Sequence, residues 1–460
     1  MNVKSDKSTL DIRVKKEKSY LCVSFYLITD NMKLLTQLFG FDPKKHSVKI
    51  EVFAGITTFL TMAYILAVNP EILSATGMDK EALFTSTTLA TILATLIMAV
   101  WAKLPFAQAP GMGLNAFFAY TICLGMGYPW QFALAAVFIE GLLFILLTVS
   151  NLRTLIVNSI PESLKYATTA GIGLFIAFIG FQNSGIVTSH PTTMLALGDV
   201  TSGAPLLALL GMFITLVLLV HKVRGGLLWG ILLTTLVGIP MGITSFHGIV
   251  NLPPSIAPIF CQLDFSNVWT TDMVIVVCTL LFMDLFDTIG TLIGVSTQAG
   301  MMKNGQVPRI KQAFMADAIG TTAGALLGTS TIVTFLESAS GVNEGGRTGL
   351  TAFTTAMCMA LALFFSPLFL SIPAAATSAV LVIVGMMMMG AVAKIPLNDY
   401  TEALPAFLCM VLMPFAYSIA DGIIIGFISY VVINLLCGKY KKISVPMYVL
   451  AVLFCFKFLL

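Results

Sequence analysis

Long apolar stretches alternate with short polar ones along most of this 460-residue chain. A helix of about 20 apolar residues crosses the roughly 30 Å hydrocarbon core of a bilayer, so hydropathy predicts about fourteen membrane spans. The first seven lie near 51–69, 84–101, 110–125, 130–150, 166–182, 204–221 and 225–244. The second seven lie near 272–297, 313–328, 333–345, 349–366, 373–393, 403–417 and 421–437.

The same pattern divides the chain into two halves of seven spans. A first repeat, 32–244, and a second, 272–437, are separated by a polar linker, 245–271, predicted to lie outside the cytoplasm. A basic linker and an apolar segment predicted to lie at the membrane interface follow at 438–460. Residues 1–31 are polar and have no counterpart in the repeats. We expect them to be a dispensable extension, either disordered or upstream of the true start codon.

The third span of each half is interrupted where it begins. Span 3 is preceded by "PFAQAP" and span 10 by "LGTSTIV". The residue before a proline and β-branched residues both favour extended backbone. Such backbone is tolerated in a membrane only where protein buries it or it lines a cavity. The matching interruptions predict an all-α transporter with a 7+7 inverted repeat, short extended segments before half-helices 3 and 10, and a substrate site near the midplane.

Composition and charge support this class of protein. Hydrophobic residues make up 57% of the chain and charged residues only 10%, whereas soluble domains have about 25% charged residues. The net charge of +3 gives no reason to expect a nucleic-acid partner. Basic residues fall in alternate loops, and the opposite loops hold only Lys80. The positive-inside rule then predicts a multi-pass protein of the cell membrane with both termini in the cytoplasm.

Span 8 carries two carboxylates inside an apolar stretch. Asp284 lies twelve residues after Asp272, which is about 18 Å along a helix and therefore near the bilayer centre. A charge there costs at least about 2.5–3.5 kcal/mol, so it should face protein or water. Asp284, Asp287, Thr288 and Thr291 have the spacing of one helix face. For Asp284 we favour a binding role. For Asp287, binding and purely structural roles remain open.

Two more polar residues begin the half-helices. Glu337 lies at or near the start of half-helix 10, where free N–H groups favour an anion or acceptor; it could equally cap its own helix. Asn115 takes a similar place in span 3, where Gly111 and Gly113 let the backbone approach a ligand. Asn115 could equally bond only to backbone.

Other small or acidic residues in the spans are expected to be structural. Gly290 and Gly294 form a GxxxG pattern, which is typical of close helix packing. Glu140, Asp317 and Asp421 are isolated acids and are predicted to form contacts at helix ends or between helices.

Five motifs occur in order along the chain: "GITTFLTMAYILAVNP", "QAPGMGLNAFFAY", "LFMDLFDTIGTLIG", "TSTIVTFLESASGVNEGGRTGLTA" and "PFAYSIADGI". Together they resemble those of the azaguanine-resistance-type purine permeases, the adenine/guanine/hypoxanthine permeases of the nucleobase–cation symporter group. The resemblance begins at Met32. It implies a core domain of spans 1–4 and 8–11, a gate domain of spans 5–7 and 12–14, and a purine bound between half-helices 3 and 10.

The resemblance also implies roles for individual residues. Purine contacts are expected at Asn115, Asp284, Glu337, Gly113, Phe335 and Leu336. Candidates for proton coupling are Asp284, Asp287 and Glu337. The coupling ion is expected to be a proton, with no metal and no organic cofactor. The oligomeric state stays open, a homodimer included.

Two alternatives remain at this point. One is an anion transporter or channel of the same fold, although an anion site should carry few acids. The other, more remote, is an intramembrane aspartyl protease. Such enzymes typically place their two aspartates on different helices, whereas Asp284 and Asp287 lie on one predicted helix.

Overall fold

The computed structural model describes residues 35–150, 160–246, 248–266, 268–298, 300–302, 307–448 and 451–452. The predicted extension, 1–31, and most of the C-terminal apolar segment lie outside these residues.

Each predicted span contains a helix. In the first half the helices are Val48–Met62 and Ile65–Ser74 (span 1), Lys80–Ile97 with the π-helix Met98–Ala102 (span 2), Met112–Ala116 with the π-helix Phe117–Gly125 (span 3), Trp130–Val149 (span 4), Glu162–Asn183 (span 5), Gly203–Val220 (span 6) and Gly226–Gly238 (span 7). In the second half they are Thr271–Gln298 (span 8), Ile310–Leu327 (span 9), Ser338–Asn343 (span 10), Gly349–Ala362 with Ser366–Leu370 (span 11), Ala374–Met389 (span 12), Tyr400–Phe415 (span 13) and Ile419–Leu436 (span 14). The strands are Gln108–Pro110 (β1), Val187–His190 (β2), Met194–Leu197 (β3) and Ile332–Thr334 (β4).

The helices suit a membrane. Among the described residues, 9 helices are long and apolar enough to cross one. Spans 3, 7 and 13 are shorter apolar helices, span 10 is a half-helix of 6 residues, and span 9 carries Lys311 and Asp317. The prediction of a polytopic helical membrane protein is confirmed.

Packing separates the spans into the two predicted groups. Spans 5 and 12 pack along each other, with spans 6 and 7 on one side and 13 and 14 on the other; this group is the gate. Span 9 packs on spans 2 and 4, and span 11 packs on spans 1 and 2, within the core. Spans 5 and 12 of the gate come very close at Gly173 and Gly385. A Cβ at Gly173 would lie 2.6 Å from the carbonyl oxygen of Gly385.

The predicted GxxxG contact does not form in the described part of the chain. An added Cβ at Gly290 or Gly294 would meet nothing within 4 Å. The prediction of close packing there is wrong. Sequence spacing places the two glycines near each other on span 8, but it does not say whether another helix covers that surface.

The two extended segments pair with each other. β1 and β4 are antiparallel, with Gln108 opposite Thr334 and Pro110 opposite Ile332, and both strands are buried. The pairing satisfies the inner backbone groups, which cannot stay unpaired in a membrane. The prediction that both segments are extended is confirmed.

One threonine from each repeat closes an outer edge of this sheet. The Thr95 hydroxyl donates to the Gln108 carbonyl and accepts from the Gln108 N–H, both at 3.0 Å. The Thr321 hydroxyl likewise donates to the Ile332 carbonyl and accepts from the Ile332 N–H, both at 3.1 Å. Thr95 lies on span 2 and Thr321 on span 9, which are equivalent in the two repeats. The backbone is therefore paired on both sides of the sheet.

An acid in the first turn of spans 1 and 8 holds a loop of the other repeat. Buried Glu51 accepts from the N–H of Arg347 at 3.1 Å, from the N–H of Thr348 at 3.2 Å and from the Thr351 hydroxyl at 2.5 Å. Asp272 accepts from the Tyr128 hydroxyl at 2.6 Å. The two repeats are thus joined reciprocally.

We expect Glu51→Ala to lower the free energy of unfolding by about 3 kcal/mol or more, because each buried donor left unpaired costs about 1–3 kcal/mol. Glu51→Gln should lose less, since its amide oxygen still accepts. Thermal midpoints of the purified protein in detergent would measure both. The control is Glu81→Ala, a change at an exposed acid on span 2. A midpoint for Glu51→Ala equal to that of Glu81→Ala would contradict the prediction.

Candidate functional site

The two half-helices begin at the ends of the central sheet. Gly111, directly after β1, precedes the first helix of span 3, and its N–H donates to the Thr331 carbonyl at 3.0 Å. After β4, the N–H of Phe335 donates to the Ala107 carbonyl at 3.0 Å, and the Ala107 N–H donates to the Ser338 hydroxyl at 3.0 Å. These bonds fix where each half-helix starts relative to the other.

A small cavity lies where core and gate face each other. Its lining residues come from spans 3 and 8 of the core and spans 5 and 12 of the gate: Gly113, Leu114, Met283, Asp287, Thr168, Thr169, Ile172 and Met388. Gly113 allows the two domains to approach closely, since a Cβ there would lie 2.5 Å from Cγ2 of Ile172. The cavity therefore borders the start of half-helix 3.

The two aspartates of span 8 occupy different surroundings. Asp287 is half-buried and lines the cavity. Asp284 is fully buried, and the Thr288 hydroxyl lies 2.8 Å from its Oδ1 and 3.1 Å from Oδ2 of Asp317 on span 9. In this conformation Asp287 is the one placed to meet a ligand, and Asp284 faces the interior of the core.

Glu337 meets span 1 rather than its own helix. The Tyr64 hydroxyl donates to Oε1 of Glu337 at 2.6 Å. The Glu337 side chain forms no capping bond to half-helix 10, so the alternative that it caps its own helix is not what the structure shows. Of its neighbours, Phe335 is buried, whereas Leu336 is 53% exposed.

Asn115 is fully buried and is not among the residues that line the cavity. Its Oδ1 accepts from the hydroxyl of Ser330, a side chain, so the alternative of purely backbone bonding does not hold. Its Nδ2 has no hydrogen-bond partner among the described residues. The structure thus brings Gly113 and Asp287 together at the cavity, whereas Asn115 and Asp284 are fully buried and do not line it.

Sequence reasoning did not predict that one segment is held by three core spans. The segment is Thr329–Ser330–Thr331, directly before β4. The Asn69 amide of span 1 donates to the Thr329 hydroxyl at 3.1 Å, and the Thr331 hydroxyl donates to Oε2 of Glu140 on span 4 at 2.6 Å. Asn115 of span 3 binds the residue between them. Contacts between distant spans leave no periodic signal. Asp317 does form the expected contact between helices, with Thr288 of span 8, whereas the Glu140 contact is to an extended segment and not to another helix.

Side-chain contacts outside the cavity lining also join core and gate. At the predicted cytoplasmic end, Arg224 of the gate pairs with Glu344 of the core at 2.7 Å, and its guanidinium lies 4.9 Å from the centre of the Phe53 ring. At the other end, the Asn183 amide of the gate donates to the Tyr120 hydroxyl of the core at 2.8 Å.

Comparisons with known proteins agree on a transporter. A sequence model described as "Permease family" matches residues 49–425. A putative permease of Methanocaldococcus jannaschii is 49% identical over 93% of this chain and 98% of that protein. The guanine/hypoxanthine permease PbuG of Bacillus subtilis is 44% identical over 92% of this chain and 98% of that protein. The adenine permease AdeP of Escherichia coli is 39% identical over 93% of this chain and 97% of that protein.

Solved structures share the fold. The transmembrane domain of the cyanobacterial bicarbonate transporter BicA has a TM-score of 0.63 at 16% identity, covering 82% of this chain and 96% of that one. SLC26A9 has a TM-score of 0.62 at 10% identity, and the match covers 89% of this chain and 69% of that one. These likenesses confirm the 7+7 architecture of core and gate. Since the family match covers most of the chain and the relatives align over nearly their whole length, the chain belongs to the xanthine/uracil permease family, whose members are membrane transporters and not enzymes.

Proposed function

We propose that this permease imports purine bases (adenine, guanine or hypoxanthine) across the cell membrane together with protons. The observation that carries the proposal is the cavity between core and gate, with the Asp287 carboxylate on its wall and Gly113 beside it. The names of the bacterial relatives, adenine permease and guanine/hypoxanthine permease, support a purine as the substrate.

The chemistry of the site suits a purine. A purine base has apolar faces, which Ile172, Met283 and Met388 would contact once the small cavity widens as core and gate separate, and it has edges with donors and acceptors. An ionised carboxylate accepts hydrogen bonds, and a protonated one also donates. Guanine and hypoxanthine offer N1–H to an ionised acid, whereas adenine presents N1 as an acceptor to a protonated one. The protonation state of the acids therefore bears on which base binds.

An anion transporter is the main alternative, because the similar solved structures include a bicarbonate transporter. A likeness at 16% identity concerns the fold alone. The charges argue against an anion. Asp287 lines the cavity, Glu337 lies close enough for their charges to interact, and no Lys or Arg is among the described lining residues. Two carboxylates repel an anion, and they would repel it more strongly in a dry site than in water.

Transport would follow from movement of the core against the gate. Opening towards the cytoplasm would separate Arg224 from Glu344, and opening outwards would separate Asn183 from Tyr120. The alternation of basic loops supports an orientation with both termini in the cytoplasm.

The test is uptake of radiolabelled bases by cells that lack their own purine transport. Cells producing the protein should accumulate at least one of adenine, guanine and hypoxanthine, and unlabelled purines should compete whereas bicarbonate should not. Uptake of bicarbonate or chloride without purine uptake would overturn the proposal in favour of the anion transporter.

Coupling to protons gives a separate expectation. A protonophore should reduce purine accumulation, and replacing sodium with potassium in the medium should not, because buried carboxyl groups can bind and release protons near neutral pH. Initial rates of uptake in energised cells would measure both. Uptake that requires sodium and ignores the protonophore would contradict proton coupling, while leaving the purine substrate in place.

A further inference from the structure

The gate lines the cavity with two apolar side chains, Ile172 and Met388, and with two threonines of span 5, Thr168 and Thr169. The two threonines differ in their surroundings. Thr168 is fully buried, and its hydroxyl lies 3.8 Å from Sγ of Cys409 on span 13, inside the gate. Thr169 is only half-buried. Of the polar gate residues that the structure describes at the cavity, Thr169 is therefore the one that a ligand can reach.

The hydrogen of the Thr169 hydroxyl is already in use. The hydroxyl donates to the carbonyl of Lys165, four residues earlier on span 5, at 3.2 Å. Threonines within helices commonly make this bond. A hydroxyl has one hydrogen to donate and two lone pairs that can accept. Towards a ligand, Oγ1 of Thr169 therefore acts as an acceptor, and it suits an N–H group.

Thr169 and Asp287 belong to different walls of the cavity. Thr169 lies on span 5 of the gate, which packs against spans 3 and 8 of the core, and Asp287 lies on span 8. A planar ligand that bridges the two walls presents opposite edges to them. When Asp287 meets the pyrimidine edge of a purine, at N1, the imidazole ring at the other end of the base faces the gate.

The imidazole ring of adenine, guanine and hypoxanthine carries one N–H group, at N9 or, in the other tautomer, at N7. This group is a hydrogen-bond donor in all three bases. A buried donor needs an acceptor, because leaving it unpaired costs binding free energy. The acceptor that the gate offers on its wall is the Thr169 hydroxyl.

We infer that Thr169 is a specificity-determining residue, which accepts a hydrogen bond from the imidazole N–H of the purine. The inference rests on the proposed purine import. A purine with a substituent on N9, as in a nucleoside, has no hydrogen on its imidazole ring, and its substituent would press against the gate. The gate thus selects bases with an unsubstituted imidazole ring, while Asp287 of the core meets the pyrimidine edge.

The test compares hypoxanthine with 9-methylhypoxanthine in equilibrium binding to the purified protein. Thr169→Val keeps the shape of the side chain and removes the acceptor. It should weaken hypoxanthine binding by about fivefold or more, because a buried donor is left unpaired. Binding of 9-methylhypoxanthine, which lacks that donor, should change little. The preference for hypoxanthine should therefore shrink by the same factor, whereas Thr169→Ser should keep the preference of the parent.

A second variant covers the case in which the parent does not measurably bind 9-methylhypoxanthine. Thr169→Ala removes the acceptor and also opens space for the methyl group, so this analogue should bind it more tightly than it binds the parent. The matched control is Thr235→Val on span 7. The Thr235 hydroxyl also donates to the carbonyl four residues earlier, that of Ile231, at 2.8 Å, but Thr235 is not among the residues that line the cavity. This control should keep the preference of the parent.

The preference is a ratio of two dissociation constants from one sample, so partial loss of folded protein does not alter it. Adenine and 9-methyladenine form a second pair of probes and should behave alike, because their imidazole ring is the same. If Thr169→Val and Thr169→Ala keep the preference of the parent, or if Thr169→Val weakens the base and its methyl analogue equally, the inference is overturned and purine import stands. If the parent neither binds nor transports any purine, the proposed function itself fails, and the inference with it.

Discussion

Glu337→Gln should weaken the binding of purines by roughly 10- to 150-fold, because a charge-assisted hydrogen bond contributes about 1.5–3 kcal/mol and each tenfold change in affinity corresponds to about 1.4 kcal/mol. Glutamine has nearly the same size and retains one acceptor, but it cannot ionise. In the structure the Glu337 carboxylate is half-buried and is held by Tyr64. The loss should therefore appear in binding and not only in turnover.

Equilibrium binding of adenine, guanine and hypoxanthine to the purified protein would measure this effect. Tyr64→Phe removes the donor that orients Glu337 and should weaken binding less than Glu337→Gln, since the charge remains. Glu81→Gln changes an exposed acid and should leave the dissociation constants as in the parent protein. Unchanged dissociation constants in a folded Glu337→Gln variant would place this residue outside the binding site.

The second large effect is expected where spans 5 and 12 cross. A Cβ at Gly173 would lie 2.6 Å from the Gly385 carbonyl oxygen and 2.7 Å from Cβ of Met388. Both neighbours belong to a packed helix and cannot rotate away. Overpacking usually costs about 1–3 kcal/mol, and valine adds two more methyl groups at this contact. Gly173→Val should therefore separate the two helices and destabilise the gate.

Size-exclusion profiles after stepwise heating would show this loss as a lower temperature of aggregation. Gly290→Ala is the matched control, because an added Cβ there meets nothing within 4 Å among the described residues. If Gly173→Val were as stable as Gly290→Ala, the close crossing of spans 5 and 12 would not be present in the protein.

Much of the architecture can be predicted from the sequence, because the membrane restricts the possible structures so strongly. Spans read from hydropathy coincide with helices in both halves, and span 8, predicted at 272–297, is the helix Thr271–Gln298. Extended backbone before the half-helices follows from Pro110 and from the β-branched residues near Ile332. These features depend on local sequence, so one chain suffices to predict them.

The arrangement around the site is harder to predict, because it depends on pairs of residues far apart in the chain. Tyr64 and Glu337 are separated by 273 positions, and no local pattern marks them as partners. The spacing of Asp284 and Asp287 predicts that both lie on one polar stripe of span 8. It did not show that one of them faces span 9 and the other the cavity, since that depends on how span 8 is rotated in the core.

The central sheet has a consequence for how the chain is made. Gln108 and Thr334, opposite each other in β1 and β4, are 226 residues apart. At a synthesis rate of about 5–20 residues per second, β1 leaves the ribosome roughly 11–45 seconds before its partner. During that interval the side of β1 that later binds β4 has unpaired backbone groups, which the lipid cannot satisfy. The first half therefore cannot reach its final structure during its own synthesis. Until the second half has been synthesised, insertion machinery or water must keep the unpaired backbone groups of β1 away from lipid.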